Sequence, residues 1–132
     1  MADLTAEMID AMEAGPEMDA LVAERVMGWQ LSEYRIVRPD GSSFDAPIRE
    51  MWDDPLYSRY SLPPYSTDIA AAWQVVEHMR TIEFDIDLLL MPDSQDRCCL
   101  EHSARIESKV CAYAPDMPLA ICRAALKTTL AS

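Results

Sequence analysis

Apolar residues in the first third of this chain recur at threes and fours. Residues 2–13 place Leu4, Met8, Ile9 and Met12 on one helical face, and the pattern breaks at Gly15-Pro16. Residues 1–15 therefore predict a short helical arm, loosely attached to the rest of the chain. A second helix opens at Pro16-Glu17, repeats Met18, Leu21, Val22, Arg25 and Val26, and stops at Gly28. Trp29 then packs back into the core. Residues 34–37 suit a short strand, and Pro39-Asp40-Gly41-Ser42 is a turn whose glycine accepts positive φ, so a hairpin is expected.

The pattern then changes period. Ser66 or Thr67 is expected to cap a third helix, with Asp68 in its first turn and Ile69, Ala72, Trp73, Val76 and Met79 or Arg80 as its buried stripe. Next, Ile82, Phe84, Ile86, Leu88 and Leu90 alternate with Glu83, Asp85, Asp87 and Leu89, which is the period of two of a strand with one acidic face. Residues 91–97 read as a turn. Residues 104–113 alternate again and are expected to pair directly with that acidic strand, setting Arg105 and Lys109 across from Glu83, Asp85 and Asp87 on a water-exposed face. Asp116 caps a last helix with Pro118 in its first turn and a stripe of Leu119, Cys122, Ala125, Leu126, Thr129 and Leu130. The sum is an α+β domain, about three helices packed on a small, largely antiparallel sheet.

Length and charge narrow the possibilities. At 132 residues the chain is sized for one domain with one core. Its 11 basic and 23 acidic residues give a net charge of -12, which repels nucleic acid and anionic lipid alike. No apolar run approaches the ~18 residues of a membrane span, and the first residues carry acids rather than the basic start of an export signal. A cytoplasmic protein is expected, with Cys98, Cys99, Cys111 and Cys122 as free thiols.

Catalytic chemistry finds little to work with. Only His78 and His102 supply imidazole, one on the polar side of a helix and one in or beside a turn. Glu83, Asp85 and Asp87 share a strand face, where pairing with cations across the sheet outweighs a metal site. Cys98-Cys99 reads as two reduced thiols at a strand start. Gly15, Gly28 and Gly41 stand too far apart for a phosphate-binding loop. No enzyme, cofactor or metal site is expected.

The segment at about 45–65 is too long for an idle link. It carries Trp52, Tyr57, Tyr60 and Tyr65 among four prolines, with Arg49 and Arg59 interleaved. These residues, with Ser66 and Thr67 at the start of the next helix, offer stacking faces and donors to a planar anionic ligand. The same aromatics equally suit burial against the core or against a second subunit of a homo-oligomer.

Three stretches in order resemble one family: Met18-Asp19-Ala20-Leu21-Val22-Ala23-Glu24-Arg25-Val26-Met27-Gly28-Trp29, then Leu62-Pro63-Pro64-Tyr65-Ser66-Thr67-Asp68-Ile69-Ala70-Ala71-Ala72-Trp73, then Pro118-Leu119-Ala120-Ile121-Cys122-Arg123-Ala124-Ala125-Leu126. They look like the phage ABA sandwich domain proteins. The resemblance implies helices sandwiched on a small sheet over residues 16–132, a phage origin, and no catalytic residue to carry over. The 45–61 segment is longer than that family's usual link. Two functions fit. One is a non-enzymatic counter-defence protein that sequesters a nucleotide-derived host signal at Arg49, Trp52, Tyr57, Arg59, Tyr60, Tyr65, Ser66 and Thr67. The other is an acidic module that occupies a basic site on a host protein.

Overall fold

The computed structural model describes residues 4–31, 35–45, 63–91, 94–104 and 109–130. The chain order is α1 (Ala6–Ala11), α2 (Pro16–Arg25), β1 (Gln30–Leu31), β2 (Arg35–Val37), β3 (Ser43–Asp45), α3 (Ile69–Thr81), β4 (Phe84–Leu89), β5 (Asp96–His102), β6 (Val110–Ala114) and α4 (Met117–Thr128). The strands form two antiparallel sheets, β1-β2-β3 and β4-β5-β6. The α+β class is as the periodicities predict.

The small sheet contains the expected hairpin. Ser42 donates its backbone N–H and its hydroxyl to the Asp40 carboxylate (2.8 and 2.6 Å), and Gly41 takes φ 92°. That bonding holds the Asp40 carboxyl below the usual carboxylate range. Ahead of it, α2 ends where the Met27 N–H reaches the Val22 carbonyl and Gly28 turns the chain at φ 87°. Trp29 is buried there, as its position predicts.

The larger sheet departs from expectation in its order. The partner of β4 is β5, in a register that pairs Asp87 with Cys99 and Leu89 with Arg97, and β6 lies beyond β5. The sequence reads 91–97 as a turn and puts a strand start at Cys98-Cys99 without giving it a partner, because Asp96-Arg97 hides the true beginning of β5. The cation facing the acids is therefore Arg97, 3.6 Å from Asp87. Lys109 precedes β6, and Arg105 lies outside the described residues. Ile82 and Leu90 fall outside β4 and are exposed.

Period two sends alternate residues of this sheet to opposite faces. Phe84, Ile86 and Leu88, Cys98 and Leu100, and Ala112 and Ala114 turn towards α3 and α4. Small side chains at Cys98, Ala112 and Ala114 let α4 lie close to the strands. Residues 119–126 of α4 are all buried, because the helix meets β5, β6, α3, α2 and α1 at once. The expected one-sided stripe is thus a helix apolar nearly all round. Its cap is as predicted, the Asp116 carboxylate accepting from the Leu119 N–H at 3.2 Å.

Two further expectations change. Asp68 itself caps α3, accepting from the Ala70 N–H at 3.1 Å, while Ser66 and Thr67 belong to the preceding turn. Ala71, Ala72, Val75, Val76 and Met79 form the buried face, leaving Ile69 and Trp73 about half exposed. The segment before α2 is docked: Ile9 is fully buried, Lys127 holds Asp10 at 2.7 Å, and Arg123 donates to the Met12 carbonyl at 2.9 Å.

Candidate functional site

The aromatic candidates separate on inspection. Arg49, Trp52, Tyr57, Arg59 and Tyr60 lie outside the described residues. Tyr65 and Ser66 are buried, and Thr67 is exposed. Ser66 gives its N–H (2.8 Å) and its hydroxyl (2.7 Å) to the Asp19 carboxylate and accepts the Gly15 N–H at 2.9 Å. Burial raises the Asp19 carboxyl above the ordinary value, and the Ser66 bonds oppose that rise. Tyr65 is pushed up to about 12 by burial, against the lowering effect of its hydrogen bond with the Trp29 side chain. These two residues lock α2 to the approach of α3, and their hydroxyls bond within the fold.

The cysteines also divide. Cys99 and Cys111, facing neighbours across β5 and β6, form a disulfide with Cα atoms 4.1 Å apart. That closeness is typical of a directly opposed pair without hydrogen bonds between its own backbones. The free-thiol expectation, which rested on a reducing compartment, fails for this pair, because the register of β5 on β6 sets the two cysteines directly opposite each other. Cys98 and Cys122 are free and buried. Burial, with Asp87 nearby, pushes the Cys98 thiol up to about 12, and it raises Cys122 as well. Neither is a ready nucleophile.

The two histidines lie on different elements. His78 sits half-buried in the last turn of α3. His102 closes β5, packing edge-on against Phe84 with ring centres 5.1 Å apart and accepting the Ala104 N–H at 3.1 Å. Among the described residues no group of three or more His, Cys, Asp and Glu is placed to hold a metal.

What the fold does assemble is the second face of the β4-β5-β6 sheet and the groove beside β4. On that face Asp85, Asp87, Leu89 and Tyr113 are exposed, in a patch that also includes Arg97, Glu101 and the disulfide. Asp87 has its cation in Arg97; Asp85 makes no ion pair among the described residues. Asp87 is largely exposed and Arg97 partly so, and at 3.6 Å the pair contributes under about 1 kcal/mol. Round the edge of β4 runs an open groove of about 370 Å³ lined by Trp73, Arg80, Phe84, Asp85, Ile86 and Leu88. The alternation of β4 announced this acidic face in the sequence. The groove was not legible, because Trp73 fits a helical stripe whether it is buried or left at the rim.

No helix of the described residues is long and apolar enough to cross a membrane. No curated protein matches the chain. Among solved structures it is similar to a phage protein from Bacillus cereus ATCC 14579, with a TM-score of 0.65 and 19% identity over 97% of this chain and 99% of that one. At that identity the likeness speaks for the fold. The sequence profile described as Phage ABA sandwich domain matches residues 20–126, nearly the whole of the segment that folds around α4. The chain therefore belongs to the phage ABA sandwich domain family.

Proposed function

We propose that this phage protein is a non-enzymatic binding module that sets the acidic face of β4 against a basic surface of a host protein. The observation that carries the reading is the exposed pair Asp85 and Asp87, flanked by exposed Leu89 and Tyr113, in a molecule of net charge -12. Acids steer a basic partner in, and exposed apolar side chains beside them supply area to bury. Affinity capture with the full chain from a bacterial lysate tests it. A basic protein should be retained at low salt, released at high salt, and lost with Asp85→Lys/Asp87→Lys. Retention of the same proteins by that variant overturns the reading.

A second reading keeps the small-molecule role, supported by the density of aromatic and arginine side chains at 45–65 and by exposed Thr67. It works through Arg49, Trp52, Tyr57, Arg59, Tyr60 and Thr67, without Tyr65 and Ser66. Calorimetry with a panel of cyclic and ADP-ribose-type nucleotides should give heat that Arg49→Ala/Arg59→Ala abolishes. A flat trace with every nucleotide removes it.

A further inference from the structure

The hydrogen-bonding phase of β4 can be read from one contact. The Ser103 N–H donates to the Glu83 carbonyl at 2.9 Å, one step beyond the Phe84–His102 pair. In an antiparallel ladder such bonded pairs alternate. Asp85, Asp87 and Leu89 therefore turn their N–H and C=O groups to β5, and Phe84, Ile86 and Leu88 turn theirs outward. Since β4 is at one end of the order β4-β5-β6, those outward groups form, among the described residues, an open edge of six residues without proline or lysine. That length and regularity make β4 a template for another strand.

From this edge we propose that β4 takes up an extended segment of the partner protein as an added strand, and that this segment alternates apolar and basic residues. The inference rests on the reading of the chain as an acidic protein-binding module, and names how that partner is held. Side chains of an added strand alternate in step with those of β4. On the helix side they meet Phe84, Ile86, Leu88 and the half-exposed Trp73, a setting apolar but for Arg80, whose guanidinium is paired with Glu77. On the other side they stand beside Asp85 and Asp87, which call for Lys or Arg. Charge also argues against a second copy of this chain. Two β4 strands paired about an axis through Ile86 would set Asp85 of each against Asp87 of the other, and like charges directly opposed destabilise a pair.

The test uses the full chain with a dye-labelled short peptide alternating Val and Lys. A Val/Glu peptide and a Val/Lys peptide N-methylated at alternate backbone nitrogens serve as comparisons. Fluorescence anisotropy should show binding of the Val/Lys peptide alone. The Asp85→Lys/Asp87→Lys variant, altered only at exposed positions, should prefer the Val/Glu peptide. Amide exchange should slow about tenfold or more at Phe84, Ile86 and Leu88 when the peptide is bound. Peptide binding without protection of those three amides overturns strand addition and leaves the acidic face as a binding surface. A lysate partner still lost with the charge-reversed variant, while no peptide binds, has the same meaning. Protection that instead grows with protein concentration alone shows a second copy on the edge and overturns the proposal. If Asp85→Ser/Asp87→Ser self-associates and no peptide binds wild type, the two acids only guard the edge, and the proposal falls.

Discussion

Two charged side chains sit where the fold is most sensitive. Asp19 is buried with Ser66 as its hydrogen-bonding partner, and its carboxyl is raised because burial penalises the charged form. A carboxyl raised on folding adds nothing below its unfolded value near 3.8 and costs stability as pH climbs through its folded value. Asp19→Asn keeps an oxygen for Ser66 and carries no charge. It should melt higher than wild type at neutral pH, and the advantage should fade as pH falls towards 3.8 in thermal scans. Arg123, also buried, donates to the carbonyls of Tyr113 (2.7 Å) and Met12 (2.9 Å). Arg123→Met should cost roughly 2 to 3 kcal/mol in denaturant unfolding, by leaving two carbonyls without a donor. Arg123→Lys should recover little, as one ammonium cannot serve both. Neither role was legible: both residues lie in helices whose apolar neighbours alone set the periodicity.

Elements with an unmistakable period or a strong punctuation mark were legible: α2 with its glycine stop, the 35–45 hairpin, β4, and α4 with its Asp116 cap. Failure came where one residue type served two purposes. Asp96 looks like a turn residue, yet it starts β5 while its carboxylate accepts the Met91 N–H at 3.1 Å to close the preceding turn. Leaving β5 without a partner meant missing the disulfide, for the bond depends on which strand faces Cys99. Cysteines 12 residues apart enclose a short loop, so replacing both by Ala should cost roughly 3 kcal/mol by loop-closure entropy. Unfolding curves of Cys99→Ala/Cys111→Ala, and of wild type with and without reductant, check it. An equal midpoint in all three would show that β5 and β6 need no tether.

At the scale of the whole molecule, charge works against compactness. A net charge of -12 on 132 residues stores self-repulsion that salt screens. The melting temperature should therefore rise with sodium chloride before any specific salt effect, and a flat profile would mean that local pairs such as Lys127–Asp10 already offset the field. The candidate site was half legible for the same reason of scale: acids alternating along β4 are a property of the sequence, but an edge is a property of the finished sheet. One other feature acts at this scale. Helix α4 is the element on which α1, α2, α3, β5 and β6 converge, and through Arg123 it bonds to a carbonyl 111 positions earlier. During synthesis the preceding elements thus wait without their common support until residues 117–128 clear the ribosome. Limited proteolysis of nascent chains should therefore show protection of the preceding elements arising in a single late step instead of a stepwise one.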